Sequence, residues 1–277
     1  MQEGKKRMSN SAVSVRAARV TCFRGLLAGA LLVASSSARA TKPGAEEVIA
    51  HFLDADPWGL GGAVLSARAT LKDKQGASSE LSFSARSRRY SPPFAKTLLR
   101  FTAPADIAGS GFLQIQMRDG DDERFLFLPD LKRSRRISGN LRASSFMGTD
   151  FSFADLDRRD LRESASQLKA EESLGKYPCF HVDSRPTRSD SAYSHIESWL
   201  RTDNYLPLKM QMYDRANVLQ KTFSALEVRR VKGHWYITKS TMVDHVHSHE
   251  TSLVIDSVEP TEDIADDEFT IRNLEKL

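Results

Sequence analysis

Three histidines alternate along Asp244-His245-Val246-His247-Ser248-His249-Glu250. On a strand, residues two apart share one face at roughly 6.5–7 Å, so two of them reach one metal ion and the third falls too far away without a bend. A zinc site needs a further ligand from elsewhere in the chain, and the sequence nominates none. Cys179 follows Pro178 in a strand-like stretch, which suits an inert structural thiol better than a nucleophile. There is no Gly-x-Ser-x-Gly elbow, phosphate loop, dinucleotide fingerprint or cysteine-pair metal motif. The chain therefore reads as a non-enzyme without a cofactor. The alternative is a secreted metal-binding protein or metal-dependent enzyme built on His245, His247 and His249.

A denser pattern runs from Phe125 to Leu156, FLFLPDLKRSRRISGNLRASSFMGTDFSFADL. An apolar strand breaks at Pro129, and Lys132, Arg133, Arg135 and Arg136 follow. Then come the apolar knot Phe146-Met147-Gly148 and an acidic-aromatic stretch from Asp150 to Asp155. Long loops that mix cations with Phe and Met are usually functional segments. Arg133, Arg135 and Arg136 either hold an anionic headgroup or acidic partner surface, or form a solvated strand end. Phe146 and Met147 are either a membrane- or partner-contacting tip or a plug under the sheet. Gly148-Thr149-Asp150, which reads as a turn back to the body, favours the plug.

The elements that must position these residues begin after a leader. A basic stretch (Lys5, Lys6, Arg7, Arg16, Arg19, Arg24) precedes the apolar run Gly25–Ala34, and Ala38-Arg39-Ala40 ends it as a signal-peptidase site. The run is too short for a bilayer, which takes roughly 20 residues. Residues 1–40 are thus expected to be a cleaved secretory signal and 41–277 a single domain. Of the 40 Lys/Arg and 36 Asp/Glu, seven and one lie in residues 1–40. That leaves 33 basic and 35 acidic residues, net −2, so the basic balance of the whole chain is no sign of nucleic-acid binding. Cys22 precedes the apolar run, where a lipidation cysteine would not stand, and Cys179 alone remains, so no internal disulfide forms.

Gly44 to Ala55 reads as a helix, with Val48, Ile49, Phe52 and Leu53 at the 3.6-residue period and Pro57 as its stop. From Gly62 the period becomes two: Ala63, Leu65, Ala67, Ala69 and Leu71 alternate with polar residues, as do Leu81, Phe83 and Ala85. Further strands are expected over 96–101, 111–117, 123–128, 178–184, 194–202, 206–213, 218–229, 234–243 and 250–257, with a second helix over 155–162. About eleven strands in meander order predict a mostly β domain with capping helices, a single curled antiparallel sheet. A sheet of that size must curl, close or be covered. Leu65, Phe83, Phe101, Phe127, Met210 and Met212 are its inner-face candidates by alternation.

The 125–156 stretch resembles the signature of the outer-membrane lipoprotein-sorting proteins, the LolA/LolB-like family. In that family a strand ending in Leu-Pro, an Arg-rich run, and Ser-Phe-Met-Gly-Thr-Asp-Phe followed by an aromatic, a small or acidic residue and Asp-Leu stand in this order. The resemblance implies a half-open barrel capped by helices, and a periplasmic carrier or receptor that shields the acyl chains of lipoproteins or other lipids. It implies an inner-membrane exporter and an outer-membrane acceptor as partners, and no nucleic acid. At 237 residues after the leader the chain is a divergent branch, and its cargo stays open between lipoprotein, free lipid and another hydrophobic export substrate.

Overall fold

The computed structural model describes residues 42–276 apart from 92, 93, 119, 120, 158 and 262. The leader and its cleavage point lie outside the described residues. Helix α1 (Ala45–Ala55) forms where the apolar period requires it, burying Val48, Ile49, Phe52 and Leu53, with Glu46 and Glu47 in its first turn. It stops at Asp56, whose left-handed backbone (φ 45°) turns the chain and whose carboxylate accepts hydrogen bonds from the Leu60 and Gly61 amides.

Thirteen strands follow among the described residues. β1 (Ala63–Lys72), β2 (Ser78–Ser91), β3 (Phe94–Ala103), β4 (Gly111–Ile115), β5 (Glu123–Leu128) and β6 (Arg133–Arg136) make one meander. After α2 (Phe153–Asp157) and α3 (Arg159–Arg162), a second meander runs through β7 (Ser164–Leu174), β8 (Tyr177–Pro186), β9 (Tyr193–Arg201), β10 (Pro207–Asp214), β11 (Leu219–Val231), β12 (His234–Asp244) and β13 (His249–Pro260), and α4 (Ile271–Leu274) comes last. The order across the single sheet is β6-β5-β4-β3-β2-β1-β13-β12-β11-β10-β9-β8-β7, and every ladder is antiparallel. The two meanders thus join through β1 and β13. Among the described residues no ladder joins β6 to β7, so the sheet is open at those edges.

The expectation of eleven strands is corrected to thirteen. The two additional strands, β6 and β7, are the edge strands. β6 is an Arg-rich tetrapeptide without apolar alternation, and β7 buries none of its side chains fully. Charged edge strands discourage further strand pairing, which is why they carry the wrong composition for a strand read from hydrophobic period.

Register links one apolar face across the sheet. Leu126 lies opposite Phe112, Phe112 opposite Leu99, Leu99 opposite Ala85, and Ala85 opposite Leu65. In the other meander Thr251 pairs with Met242, Met242 with Phe223 and Phe223 with Met210. α1 packs over the second meander's part of this inner face. Segment 137–163, between β6 and β7, packs over both parts through Phe146, Phe153 and Leu161. The opposite face is covered at β3–β5 by the C-terminal chain, where Leu98, Leu113 and Phe127 meet Ile264, Phe269 and Leu274. A Cβ at Gly111 would stand 2.8 Å from Leu274 Cδ1, so the small residue lets the C-terminal leucine pack close to β4. Arg100 fastens the same segment by donating to the carbonyls of Asn273 and Leu274.

Candidate functional site

The covering segment is built from its own sequence. Met147 and Gly148 both adopt positive φ (51° and 80°), the Thr149 amide closes the turn on the Phe146 carbonyl at 3.0 Å, and Ser145 bridges Ser152. Positive φ at both central residues is the pattern of a tight hairpin turn, so residues 145–152 form a miniature hairpin on the sheet. It turns Phe146 inward against Phe101, Phe112 and Phe153, at ring separations of 5.2–5.8 Å. Such aromatic contacts add to burial. Phe146 is 5% exposed and is therefore a plug, not a surface contact. Met147 is half-buried beside it.

Two carboxylates fasten this cover to the sheet. Asp150 accepts from Thr251 Oγ1 at 2.6 Å, and its carboxylate lies 3.0 Å from His249 Nδ1. Asp155 accepts from the Tyr193 hydroxyl at 2.8 Å, the Ser152 amide at 2.7 Å and Lys221 Nζ at 3.1 Å. Burial alone would raise the Asp155 carboxyl, but Lys221 and these hydrogen bonds outweigh it and hold it below its ordinary value. Burial and the adjoining carboxylate push the Tyr193 phenol well up.

Beneath the cover lies an apolar cavity of about 130 Å³, bounded by β1–β3, β9–β13 and segment 146–161. Leu65, Phe83, Phe101, Met210 and Met212 line it, with Trp58, Phe146, Phe223 and Met242. Phe127 does not. It faces the C-terminal cover on the other side of the sheet, and its expected inner position is corrected. β5 is apolar on both faces, with Leu126 inward and Phe125 and Phe127 outward, so alternation there carries no phase.

The cationic run is not a single patch. Register sets Arg133 and Arg135 opposite Leu128 and Leu126, on the inner side of the open edge, and Arg136 opposite Phe125 on the outer side. All three are exposed, and Arg136 lies 3.9 Å from Glu123. The histidines do not share a strand face, which corrects the expected geometry. Residues 245–248 form the β12–β13 turn, held by Asp244 Oδ1 accepting from the Val246 and His247 amides. Each imidazole meets its own partner: His245 meets Thr222, His247 meets Asp244, and His249 meets Asp150. No metal-holding cluster of three His, Cys, Asp or Glu occurs among the described residues. Cys179 is fully buried, and burial pushes its thiol up, as suits a packing residue.

Sequence reasoning missed Asp160, which lines the cavity from α3 and is 5% exposed. No pattern in the sequence marks it, since Asp157, Arg158, Arg159 and Arg162 surround it with charge as on a solvated face.

A family model described only as an uncharacterized protein matches residues 94–276, and the chain belongs to that family. A crystal structure from Vibrio parahaemolyticus, described as an outer-membrane lipoprotein-sorting protein domain, is 27% identical with a TM-score of 0.77. The match covers 84% of this chain and 98% of that one. The fold of this chain is LolA/LolB-like. A DUF1329 family protein from Desulfovibrio piger (23% identity, TM-score 0.76, covering 83% and 97%) shares the LolA/LolB-like fold. So does a LolA superfamily protein from Nitrosomonas europaea (16%, 0.66, covering 83% and 98%). No curated protein matches the sequence significantly. Among the described residues no helix is long and apolar enough to cross a membrane.

Proposed function

We propose that this LolA/LolB-like protein is a periplasmic carrier that shelters acyl chains between the inner sheet face and segment 137–163. The observation that carries this reading is the apolar cavity shared by both meanders under a cover held by a few polar contacts. Each methylene moved out of water contributes about 0.8 kcal/mol, so a face of Leu, Phe and Met suffices to hold a chain without catalysis. Met suits such a wall because its side chain adapts to the shape of its occupant.

The cavity as it stands is near the size that admits one benzene, about 150 Å³, and smaller than ordinary ligand pockets of roughly 300–1,000 Å³. Phe146 and Phe153 occupy the space a chain would need. Loading therefore requires the cover to move, and in the empty carrier the same aromatic rings keep the inner face out of water. The leader read in residues 1–40 supports export to the periplasm. An inner-membrane exporter and an outer-membrane acceptor are the partners this role requires, and the cargo is a lipoprotein or another acylated lipid.

Met210→Glu tests the reading. A carboxylate among hydrocarbon must stay charged at high desolvation cost or take up a proton, so displacement of a fluorescent fatty acid should fail and the thermal midpoint should fall, whereas Met210→Leu should keep both. Unfolding of the variant, together with no fatty-acid binding by the parent, would make this face a packed core and overturn the carrier. Native mass spectrometry of the protein purified from periplasm should show a bound lipid mass.

A further inference from the structure

The inner cavity of about 130 Å³ is near the size of one benzene site and cannot enclose a long acyl chain. Beside it lies a second opening, a surface groove of about 610 Å³ between α1, α3 and the first residues of β7. Consecutive residues of α3 divide between the two. Asp160 borders the cavity, Arg162 the groove, and Leu161 both. Leu161, 4% exposed, is therefore common to both walls. The groove has an apolar floor, where Ile49 and Leu53 of α1 pack in one cluster with Leu161. Its serines need nothing from a ligand. Ser164 Oγ donates to the Leu161 carbonyl at 2.8 Å and lies 3.0 Å from Ser166 Oγ, which lies 2.9 Å from Ser184 Oγ. Of the charged groups at the rim, Glu46 and His51 stay exposed, while Arg89 engages Asp54 at 3.1 Å and Asp122 engages Arg162 at 3.4 Å. Hydrocarbon laid along this floor leaves no serine hydroxyl without its partner.

We propose that the cavity and the groove are two halves of one acyl-chain site. The chain's end lies in the cavity, the next part crosses at Leu161 and runs along Ile49 and Leu53, and the headgroup emerges at the groove's exposed rim. This rests on the carrier reading. It adds the path of the chain and the class of chain taken, one too long for a benzene-sized space. The crossing lies in α3, within the segment that covers the sheet, so the movement that admits a chain to the cavity also opens the way past Leu161. Small residues keep the groove free for it: Ala50, exposed on α1, faces the same trough as Ser164 and Ser166 of β7.

The experiment follows alkylation of Ala50→Cys by iodoacetamide in protein purified from periplasm. Cys179, fully buried, is the only native cysteine among the described residues. Palmitate and octanoate are each added at a concentration that displaces the neutral probe N-phenyl-1-naphthylamine. Palmitate should slow alkylation at least about tenfold and octanoate less than about twofold, because only the longer chain covers the thiol. Ala216→Cys, exposed in the β10–β11 turn, should react at one rate with either acid or none. In Ala50→Cys combined with Leu161→Trp, whose larger ring fills the crossing, octanoate should still displace the probe while palmitate slows alkylation less than about threefold. The single variant decides alone if the double variant does not fold. No protection by palmitate, equal protection by octanoate, equal slowing at Ala216→Cys, or protection that survives Leu161→Trp would overturn the inference and leave the carrier intact. Failure of the probe and both acids to bind would remove the carrier reading and this inference with it.

Discussion

The carboxylate of Asp150 and the imidazole of His249 stand 3.0 Å apart across 99 residues of sequence. The contact ties the miniature hairpin of residues 145–152 to the first residue of β13, and Thr251 supports it from two positions further along that strand. Asp150→Ala removes the acceptor of both and should cost about 2 kcal/mol of stability, the scale of hydrogen bonds to a charged group. It should also speed probe entry. Urea unfolding and stopped-flow binding of N-phenyl-1-naphthylamine measure the two effects. Unchanged entry kinetics would show that this tie does not hold the cover.

Phe146 and Phe127 are both buried, at 5% and 2% exposure, on opposite faces of one sheet. Replacing either by Ala should destabilise the protein by about 3–5 kcal/mol. Only Phe146→Ala should enlarge the cavity and tighten binding of a bulky apolar probe. Phe127→Ala should leave probe affinity within twofold of the parent, relative to about tenfold for the other variant. Equal effects on binding would contradict the assignment of faces.

These two phenylalanines also show how far the sequence could be read. β1 and β2 cover one side apolar and one polar, so their alternation specifies both strand and face, and α1 was legible from its period for the same reason. β5 is buried on both sides, and there hydrophobicity marks a strand without saying which way Phe127 points. β6 and β7 carry the charge that edges need and the alternation rule rejects. The His245–His249 stretch reads as a strand by composition. Asp244, however, captures two backbone amides as an Asx-type turn, a signal that was present in the sequence. Phe146 was legible as a plug because Gly148 follows it. Asp160 was not read because a single acid in a charged stretch looks solvated until its neighbours are known.

Lys221 is largely buried against Asp155, with side-chain exposures of 13% and 6%. Asp155→Ala strands that ammonium beside an apolar cavity and should destabilise by about 3–5 kcal/mol. The double replacement Asp155→Leu with Lys221→Met should recover most of the loss, since exchanging a buried ion pair for apolar side chains is often neutral. Urea unfolding of the single and double variants decides the point. A double variant no more stable than the single one would show that the Tyr193 and Ser152 hydrogen bonds, and not the charge pair, dominate.

Asp160 and Asp190, both near Arg142, should have opposite effects on stability. The folded chain raises the Asp160 carboxyl above 3.8, so it holds that proton more tightly than the unfolded chain does. Its contribution to stability is therefore fully present below 3.8 and is lost as pH rises through the raised value of the folded chain. Asp160→Asn should raise the thermal midpoint at pH 7.5 and lose the advantage at pH 3. Asp190 is held down to about 2 from 3.8, first by its hydrogen bond with Arg188. Its contribution is present above 3.8 and disappears as pH falls through about 2, so Asp190→Asn should lower the midpoint at pH 7.5. Calorimetry across this range checks both signs.

The pairing of β1 with β13 has a consequence for how the molecule comes into being. Within each meander, neighbouring strands are neighbours in sequence, but Ser66 and Ser257, hydrogen-bonded at 2.7 Å in the middle of the sheet, are separated by 191 residues. A chain delivered from its N-terminus has β1 long before it has a partner for that strand's outer edge. During that interval β1 is an open template, and the inner face is split into two unmatched halves. Non-local closure of this kind is slow, and its intermediates mispair readily. Completion of the fold thus waits on the last strand, and a chain cut short before Pro260 would lose the join at the centre of the sheet, not merely its tail.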